Sequence, residues 1–308
     1  MRKILIAFIL VLAICSVCFA AQKAQKKEEI VDAGVLTYLG TTEEEFQRGL
    51  DDLRKAVAPL IPANGENDEW AEYDMLEGFV LSLVKTRRVI HFYDSLLAMQ
   101  MALRSGKISE IALPEPVGLY LITNNPKFDI LFSLNMMPST ISFGFKRGNT
   151  ALQKEFNTAI TAMRKDGTLE KLKKKYITEL AGEPEQVVFQ NFKNAPTIKV
   201  AVTGDLPPID FIAADGRPTG YNTAILSEIG KRLKKNIRLI SVDAGGRSAA
   251  LASERADVVF WYRNTEGLKA PSKIKGKNLK GVMKDTLDGV ILSEPYYEWD
   301  VDLIIGRN

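Results

Sequence analysis

The sequence predicts an α/β protein with mainly parallel sheets. Two observations carry that expectation. Short apolar runs rich in β-formers alternate with stretches of helical spacing along nearly the whole chain, the pattern of strand–helix–strand layering. The alternation fades once, over Thr178–Pro196, and then restarts. The chain therefore carries two such units joined by a linker.

The elements follow in order. Gly34–Leu39 is a strand-like run. In Thr41-Thr42-Glu43-Glu44-Glu45, a threonine with glutamate three residues later forms a capping box, so a helix starts here and runs to about Leu60. Pro59, Pro62 and the polar run Asn64–Glu69 end it. Trp70–Lys85 places Leu76, Phe79, Val80 and Leu83 at helical spacing. Val89–Tyr93 reads as a strand, and Asp94-Ser95 caps a helix through Arg104. Ile108–Leu113 is a strand and Pro116–Ile122 a short helix. Phe128–Phe132 and Ser139–Lys146 are two more strands. Ala151–Arg164 and Leu169–Tyr176 are amphipathic helices split by Asp166-Gly167.

After the linker, Thr197–Val202 is a strand, Gly204–Pro208 a tight loop and Phe211-Ile212 a short strand. Asp215-Gly216-Arg217-Pro218 makes a turn. Tyr221–Leu233 is a helix, Ile237–Val242 a strand, Ser248–Glu254 a helix and Asp257–Tyr262 a strand. Lys269–Lys284 is dense in lysine and reads as a solvated insertion. The chain closes with Gly289–Leu292, Ser293-Glu294-Pro295-Tyr296-Tyr297 and the apolar strand Val301–Ile305.

The first residues address the compartment. Arg2 and Lys3 precede the apolar run Ile4–Phe19, and Cys18-Phe19-Ala20 offers small residues at the cleavage positions. That pattern reads as a secretory signal peptide over 1–20; the run is shorter than the ~20 apolar residues of a membrane span. Leu12-Ala13-Ile14-Cys15 resembles a lipobox, with bulky Ile14 where that motif takes a small residue. Residues 21–30, rich in Lys, Gln and Glu, read as a solvated tether, and the expected location is periplasmic. Cys15 and Cys18 are the only cysteines, so the mature chain forms no disulfide or thiolate metal site. The single histidine, His91, cannot build a metal site alone. No cofactor or metal is expected. A formal charge of +3, nearer neutrality once Arg2 and Lys3 depart, argues against nucleic acid as a partner.

From Thr197 onward the chain resembles the extracellular solute-binding family that serves polar amino acid ABC transporters. Thr197-Ile198-Lys199-Val200-Ala201-Val202 looks like the family's first strand, and Asp205-Leu206-Pro207-Pro208-Ile209-Asp210-Phe211 is similar to its ligand loop. Asp215–Asn222, Arg255-Ala256-Asp257-Val258-Val259 and Ser293-Glu294-Pro295-Tyr296-Tyr297 continue the match in order. The part before Thr197 resembles what ordinarily comes afterwards. Gly40–Phe46 looks like the start of the second lobe. Tyr93-Asp94-Ser95-Leu96, Ser105-Gly106-Lys107 and Glu115-Pro116-Val117 extend it. Ser142–Asn149 resembles the strand returning through the hinge, and Asp166-Gly167-Thr168-Leu169 the terminal helix pair.

This resemblance implies a two-lobed periplasmic binding protein fold (type II), circularly permuted. A lobe 2-like α/β domain would cover 31–141 and a lobe 1-like domain 142–308, including the linker 178–196. One crossing between lobes would be cut, between Asn308 and Val31. The rival account is exchange of lobes between copies, so a monomer is expected and a lobe-swapped dimer is the alternative.

The resemblance also implies a cleft that closes about a hinge, with loops beyond the carboxyl ends of the strands contacting the ligand. These loops follow Leu39, Leu113, Val202, Val242 and Tyr262. Thr41 and Thr42 offer hydroxyls and free N–H groups to a carboxylate. The family's carboxylate-gripping arginine matches Lys269, with Arg263 earlier on the same loop. Its ammonium-holding acid matches Pro114, with Glu115 beside it. Asp205 and Leu206 come from the ligand loop. Trp261 and Tyr262 are placed to stack on a solute, followed by Asn264, and Arg247 follows Gly245-Gly246. The expected function is capture of a small solute, an amino acid or related small carboxylate, for delivery to an ABC permease. Alternatives are a ligand sensor signalling to a membrane receptor and a dehydratase of cyclic acids. No Ser/His/Asp set, metal motif or phosphate loop marks an enzyme.

Overall fold

The computed structural model describes residues 29–37, 42–58, 86–134, 139–264, 289–299 and 301–308. The expected leader, the helix expected over Trp70–Lys85 and the lysine-dense Lys269–Lys284 lie outside the described residues. In chain order, the first part comprises β1 (Glu29–Leu36), α1 (Glu43–Val57), β2 (Thr86–Tyr93), α2 (Leu96–Ser105), β3 (Glu110–Pro114), α3 (Glu115–Asn124) and β4 (Phe128–Leu134). The second comprises β5 (Ser139–Lys146), α4 (Thr150–Lys165), α5 (Thr168–Lys173), β6 (Thr197–Val202), β7 (Asp205–Leu206), β8 (Asp210–Ile212), β9 (Pro218–Thr219), α6 (Tyr221–Leu233), β10 (Asn236–Ser241), α7 (Gly246–Ala252), β11 (Val258–Asn264), β12 (Val290–Leu292) and β13 (Tyr297–Trp299). The last strand is β14 (Asp302–Arg307).

Two lobes form around two sheets. The first sheet has the order β2-β1-β3-β14-β4, and the second β10-β6-β11-β5-β12, with β13 also pairing β5. Each has a parallel core. β1 runs parallel to β2 and β3, and β6 runs parallel to β10 and β11. The sheets are mixed, where the sequence predicts mainly parallel ones. The antiparallel members, β14 against β3 and β4, and β5 against β11, β12 and β13, flank the places where the chain passes between sheets.

Local signals explain the elements. Thr42 Oγ1 accepts from Glu45 N–H, and the Glu45 carboxylate accepts from Thr42 N–H, completing the capping box of α1. Glu43, Glu44 and Glu45 occupy its first turn and Arg54 and Lys55 its last, matching the helix dipole. Ser95 caps α2, and Gly106, in the left-handed conformation, ends it. β1 begins at Glu29, inside the stretch read as tether. Its parallel ladder with β2 runs from Glu29 opposite Thr86 to Leu36 opposite Tyr93, and backbone pairing makes no demand on the polarity of Glu29. Beyond α5, Lys174–Thr178 forms a π-turn. The linker then leads to β6, with one bridge between Gln186 and Thr219.

Strand alternation sorts the cores. On one face of the first sheet Ile111 and Leu113 meet Met99, Leu103, Val117 and Leu121 from α2 and α3. On the other, Ala33, Val35 and Ile90 meet Phe46 of α1. That face also carries Arg88 paired with Glu110, which is 4% exposed, and stacked over the Phe132 ring at 5.1 Å. In the second lobe Phe143 and Phe145 pack edge-on against Phe156 at 5.2 and 5.1 Å. Opposite them, Ala201 and Val259 meet Ala250 and Leu251 of α7. The cores of α2–α3 and of the second lobe belong to one continuous cluster of buried side chains.

The chain passes between sheets twice, after β4 and after β13. The strand ends that flank the two crossings are paired: Trp299 is opposite Ser139 on the second sheet, and Asp302 is opposite Leu134 on the first. The expected division at 141/142 thus leaves out one return, because Asp302–Arg307 rejoins the first sheet. Neither crossing is cut. Ala33 and Gly306 both pair with Glu110 from opposite sides, so the first and last described strands flank β3 in one sheet, about 10 Å apart.

Replacing Phe143 by Ala removes a ring with no exposed surface. It is expected to cost about 3–5 kcal/mol in urea unfolding, against a change within about 0.5 kcal/mol for Leu97→Ala at an exposed position.

Candidate functional site

The carboxyl ends of the parallel strands of both sheets face a single cavity. From the first lobe it is lined by Leu36 and Thr37 at the end of β1, Asp94 after β2, Ala112, Leu113 and Pro114 at the end of β3, and Asp302 at the start of β14. From the second come Thr203, Asp205 and Leu206 after β6, Ala244 and Arg247 after β10, and Trp299 at the end of β13. The cavity measures about 50 Å³. Backbone and carboxylate groups of the two lobes bond to each other beside it, Leu96 N–H to Asp205 and Ala244 N–H to Asp94 O, which draws the lobes together there.

The second-lobe wall is built by a buried carboxylate. Asp210, 2% exposed, accepts the Thr203 N–H and hydroxyl, both at 2.9 Å. Burial pushes its carboxyl up to about 6 against those donations. The turn it holds delivers Asp205, whose Oδ2 accepts from Leu96 N–H across the cleft at 2.7 Å. Burial also raises the Asp205 carboxyl above the usual range, opposed first by the Leu96 N–H. Behind the turn, Gly220 has φ +91°, and a Cβ there would sit 2.7 Å from Pro208 O. The close approach lets Tyr221 N–H reach Pro208 O at 3.0 Å and Asn222 N–H reach Ile209 O at 2.9 Å, tying α6 to the loop.

Arg247 is 3% exposed. Its Nε donates to Ala244 O at 3.0 Å and Nη1 to Phe260 O at 3.4 Å, which fixes the guanidinium in the cavity wall. At the crossing, Trp299 Nε1 donates to Asp302 Oδ1 at 3.0 Å. Ala244 N–H donates to Asp94 O at 3.2 Å, a second bond between lobes. Among the described lining residues Asp94, Asp205 and Asp302 face one cationic side chain, Arg247.

Of the residues expected at the site, Asp205, Leu206 and Arg247 line the cavity together. Thr42 instead caps α1 and is exposed. Glu115 opens α3, with its N–H on Val301 O at 3.0 Å, and does not line the cavity; its neighbour Pro114 does. Trp261, Tyr262, Arg263 and Asn264 belong to β11; their side chains, like Thr41 and Lys269, lie outside the described residues. Sequence reasoning missed Asp94, Trp299 and Asp302. Asp94 follows the carboxyl end of a parallel strand, the rule that found the loops after β1, β3, β6 and β10. Trp299 and Asp302 flank a crossing that no periodicity marks. His91 sits on β2 with Nε2 2.7 Å from Asp32 Oδ1. Among the described residues no group of three His, Cys, Asp or Glu side chains is placed to hold a metal ion, and no helix is long and apolar enough to cross a membrane.

The family model of the bacterial extracellular solute-binding proteins, family 3, matches residues 6–179 and 198–266. Among solved structures, the ligand-binding component of an ABC-type import system from Staphylococcus aureus, with zinc bound, is 9% identical with a TM-score of 0.41. That alignment covers 91% of this chain and 66% of the other. A pheromone cOB1 precursor/lipoprotein of the YaeC family from Enterococcus faecalis V583 is 13% identical with a TM-score of 0.39, covering 91% and 86%. The methionine-binding protein MetQ is 10% identical with a TM-score of 0.36, covering 91% and 83%. The comparison with curated proteins returns no match.

The raised Asp210 carboxyl sets a pH dependence. Between the unfolded carboxylate range near ~4 and about 6, the folded chain holds a proton that the unfolded chain has released. This group's contribution to stability is therefore present below that window and lost as pH rises through it. Asp210→Asn keeps a neutral side chain throughout. Urea unfolding at the two ends of the window should show wild type losing stability with rising pH relative to the variant; parallel profiles would refute the assignment.

Proposed function

The chain belongs to the bacterial extracellular solute-binding proteins, family 3, and on that premise we propose that it is an exported protein that captures a small solute between its lobes and delivers it to an ABC permease. One observation carries the reading: the carboxyl ends of both sheets' parallel strands converge on one cavity lined by both lobes, where open α/β sheets bind ligands. The two adjacent crossings supply the hinge that such capture needs. The family is one of binding proteins, and Glu115, one half of a dehydratase pairing, lies off the cavity lining.

The solute class that fits is an amino acid or a related small carboxylate carrying an ammonium group. Arg247 is the anchor for its carboxylate, and Asp94, Asp205 and Asp302 supply negative charge for the ammonium. Entry of such a solute parts the lobes, because Leu96 N–H and Asp205 bond across the cavity.

We further propose that the lobe order is circularly permuted, with lobes of about 29–134 plus 302–308 and about 139–299. The family match falls into two pieces separated by 180–197, the stretch of weak periodicity, and the first and last described strands flank β3 in one sheet. A re-joined chain, with Asn308 linked to Glu29 and the break moved into 180–196, is expected to remain monomeric and to melt within a few degrees of the original. Obligate dimerisation of the original chain in sedimentation would favour exchange between copies instead.

Thermal-shift screening over amino acids, small carboxylates and purines tests the main reading. A true ligand at about a hundred times its Kd adds about 2.7 kcal/mol, a rise of about 4 °C for a chain of this size. Silence across all three panels would sink it.

A further inference from the structure

We propose that Asp205 is a latch that closes the two lobes on each other before any solute arrives. Its carboxylate belongs to the second lobe, and the N–H that it accepts belongs to Leu96, the first residue of α2 in the first lobe. The N–H groups of a helix's first turn have no partner within the helix. Ser95 Oγ serves Ala98 N–H in α2. Leu96 N–H is left over, and Leu96 is only 2% exposed. The acceptor that water would supply in an open protein is supplied by Asp205 across the cleft.

The bond is well suited to a latch. A carboxylate on a backbone N–H at a helix N-terminus is charge-assisted and favoured by the helix dipole. It does not act alone: Ala244 N–H on Asp94 O joins the same two loops. Asp210 holds the turn that aims Asp205, through both donors of Thr203. Asp205 and Asp94 both line the cavity that these bonds span. In the closed arrangement these groups of the two lobes satisfy each other, and a solute that enters between the lobes must first break these two bonds. The latch then subtracts from the apparent affinity of every solute by the fraction of molecules that stand open. That consequence rests on the solute-binding reading; the latch itself does not.

The test uses no ligand, so a failed latch leaves the solute-binding reading standing, and a failed ligand screen leaves the latch standing. Amide hydrogen exchange is followed at Leu96 in the ligand-free full chain, with the radius of gyration measured by X-ray scattering. Wild type should protect the Leu96 amide. Asp205→Ala should speed its exchange by about tenfold or more, leave protection in β6 and α6 unchanged, and enlarge the radius of gyration. Asp205→Asn keeps the shape with a weaker acceptor and should fall between; it also serves if the alanine variant loses its fold. Ser95→Ala is the control, loosening Ala98 while leaving Leu96 protected. An unprotected Leu96 amide in wild type overturns the proposal, as does protection that survives both Asp205 variants.

Discussion

The antiparallel pairing of the strand ends that flank the two crossings governs the rest of the structure. Trp299 against Ser139 and Asp302 against Leu134 pair the strand ends on either side of the crossings, a two-part ribbon with one pair in each sheet. Such pairing keeps the strands on each side of the crossings from sliding past one another and leaves rotation about the connecting segments open. It therefore decides which edges of the sheets face each other. With the sheets tied there, the carboxyl ends of β1, β2 and β3 meet those of β6 and β10, and every residue lining the cavity stands on one of these ends or on the ribbon.

Buried polar groups then set how closely the edges meet. Asp210 and Gly220 act on the same short loop from two sides, one by accepting two donors of Thr203 and the other by admitting a carbonyl where a Cβ would intrude. Arg247 is held by the carbonyls of Ala244 and Phe260. A wall made of such fixed groups cannot reshape itself around a guest, so adaptation falls to the angle between lobes. This follows from interiors being packed and polar groups being paired: small shifts within a lobe cost more than a rotation about two peptide segments.

The fold was legible in the sequence because it is written in local patterns. The capping box at Thr42 and Glu45, the Ser95 cap, the Asp166-Gly167 break and the run Ser139–Lys146 all appear where the pattern puts them. Two features were misread because they depend on distant partners. Glu29 and Ile30 are strand through pairing with Thr86 and Arg87, and β14 joins the first sheet although its neighbours in sequence lie in the second. The site was legible only in part for the same reason. Asp205, Leu206 and Arg247 follow strands whose ends are readable. Asp94 carries an obvious local role beside a helix cap, which masked its place on the cavity. Trp299 and Asp302 acquire meaning only once the crossings are paired.

The permuted order that we propose costs the protein little, and the ribbon explains why. Closure needs two continuous crossings, two sheet edges and a latch. None of these involves the connection that would run from β14 to β1, which lies on the sheet edge about two strand spacings wide between Ala33 and Gly306. Moving the chain ends there removes a link between strands already held in register by β3. Placing them at either crossing would instead leave one segment to carry the hinge, and Leu96 and Asp205 would no longer meet at a defined angle. On this proposal the permuted order and the latch share one requirement: both crossings stay whole.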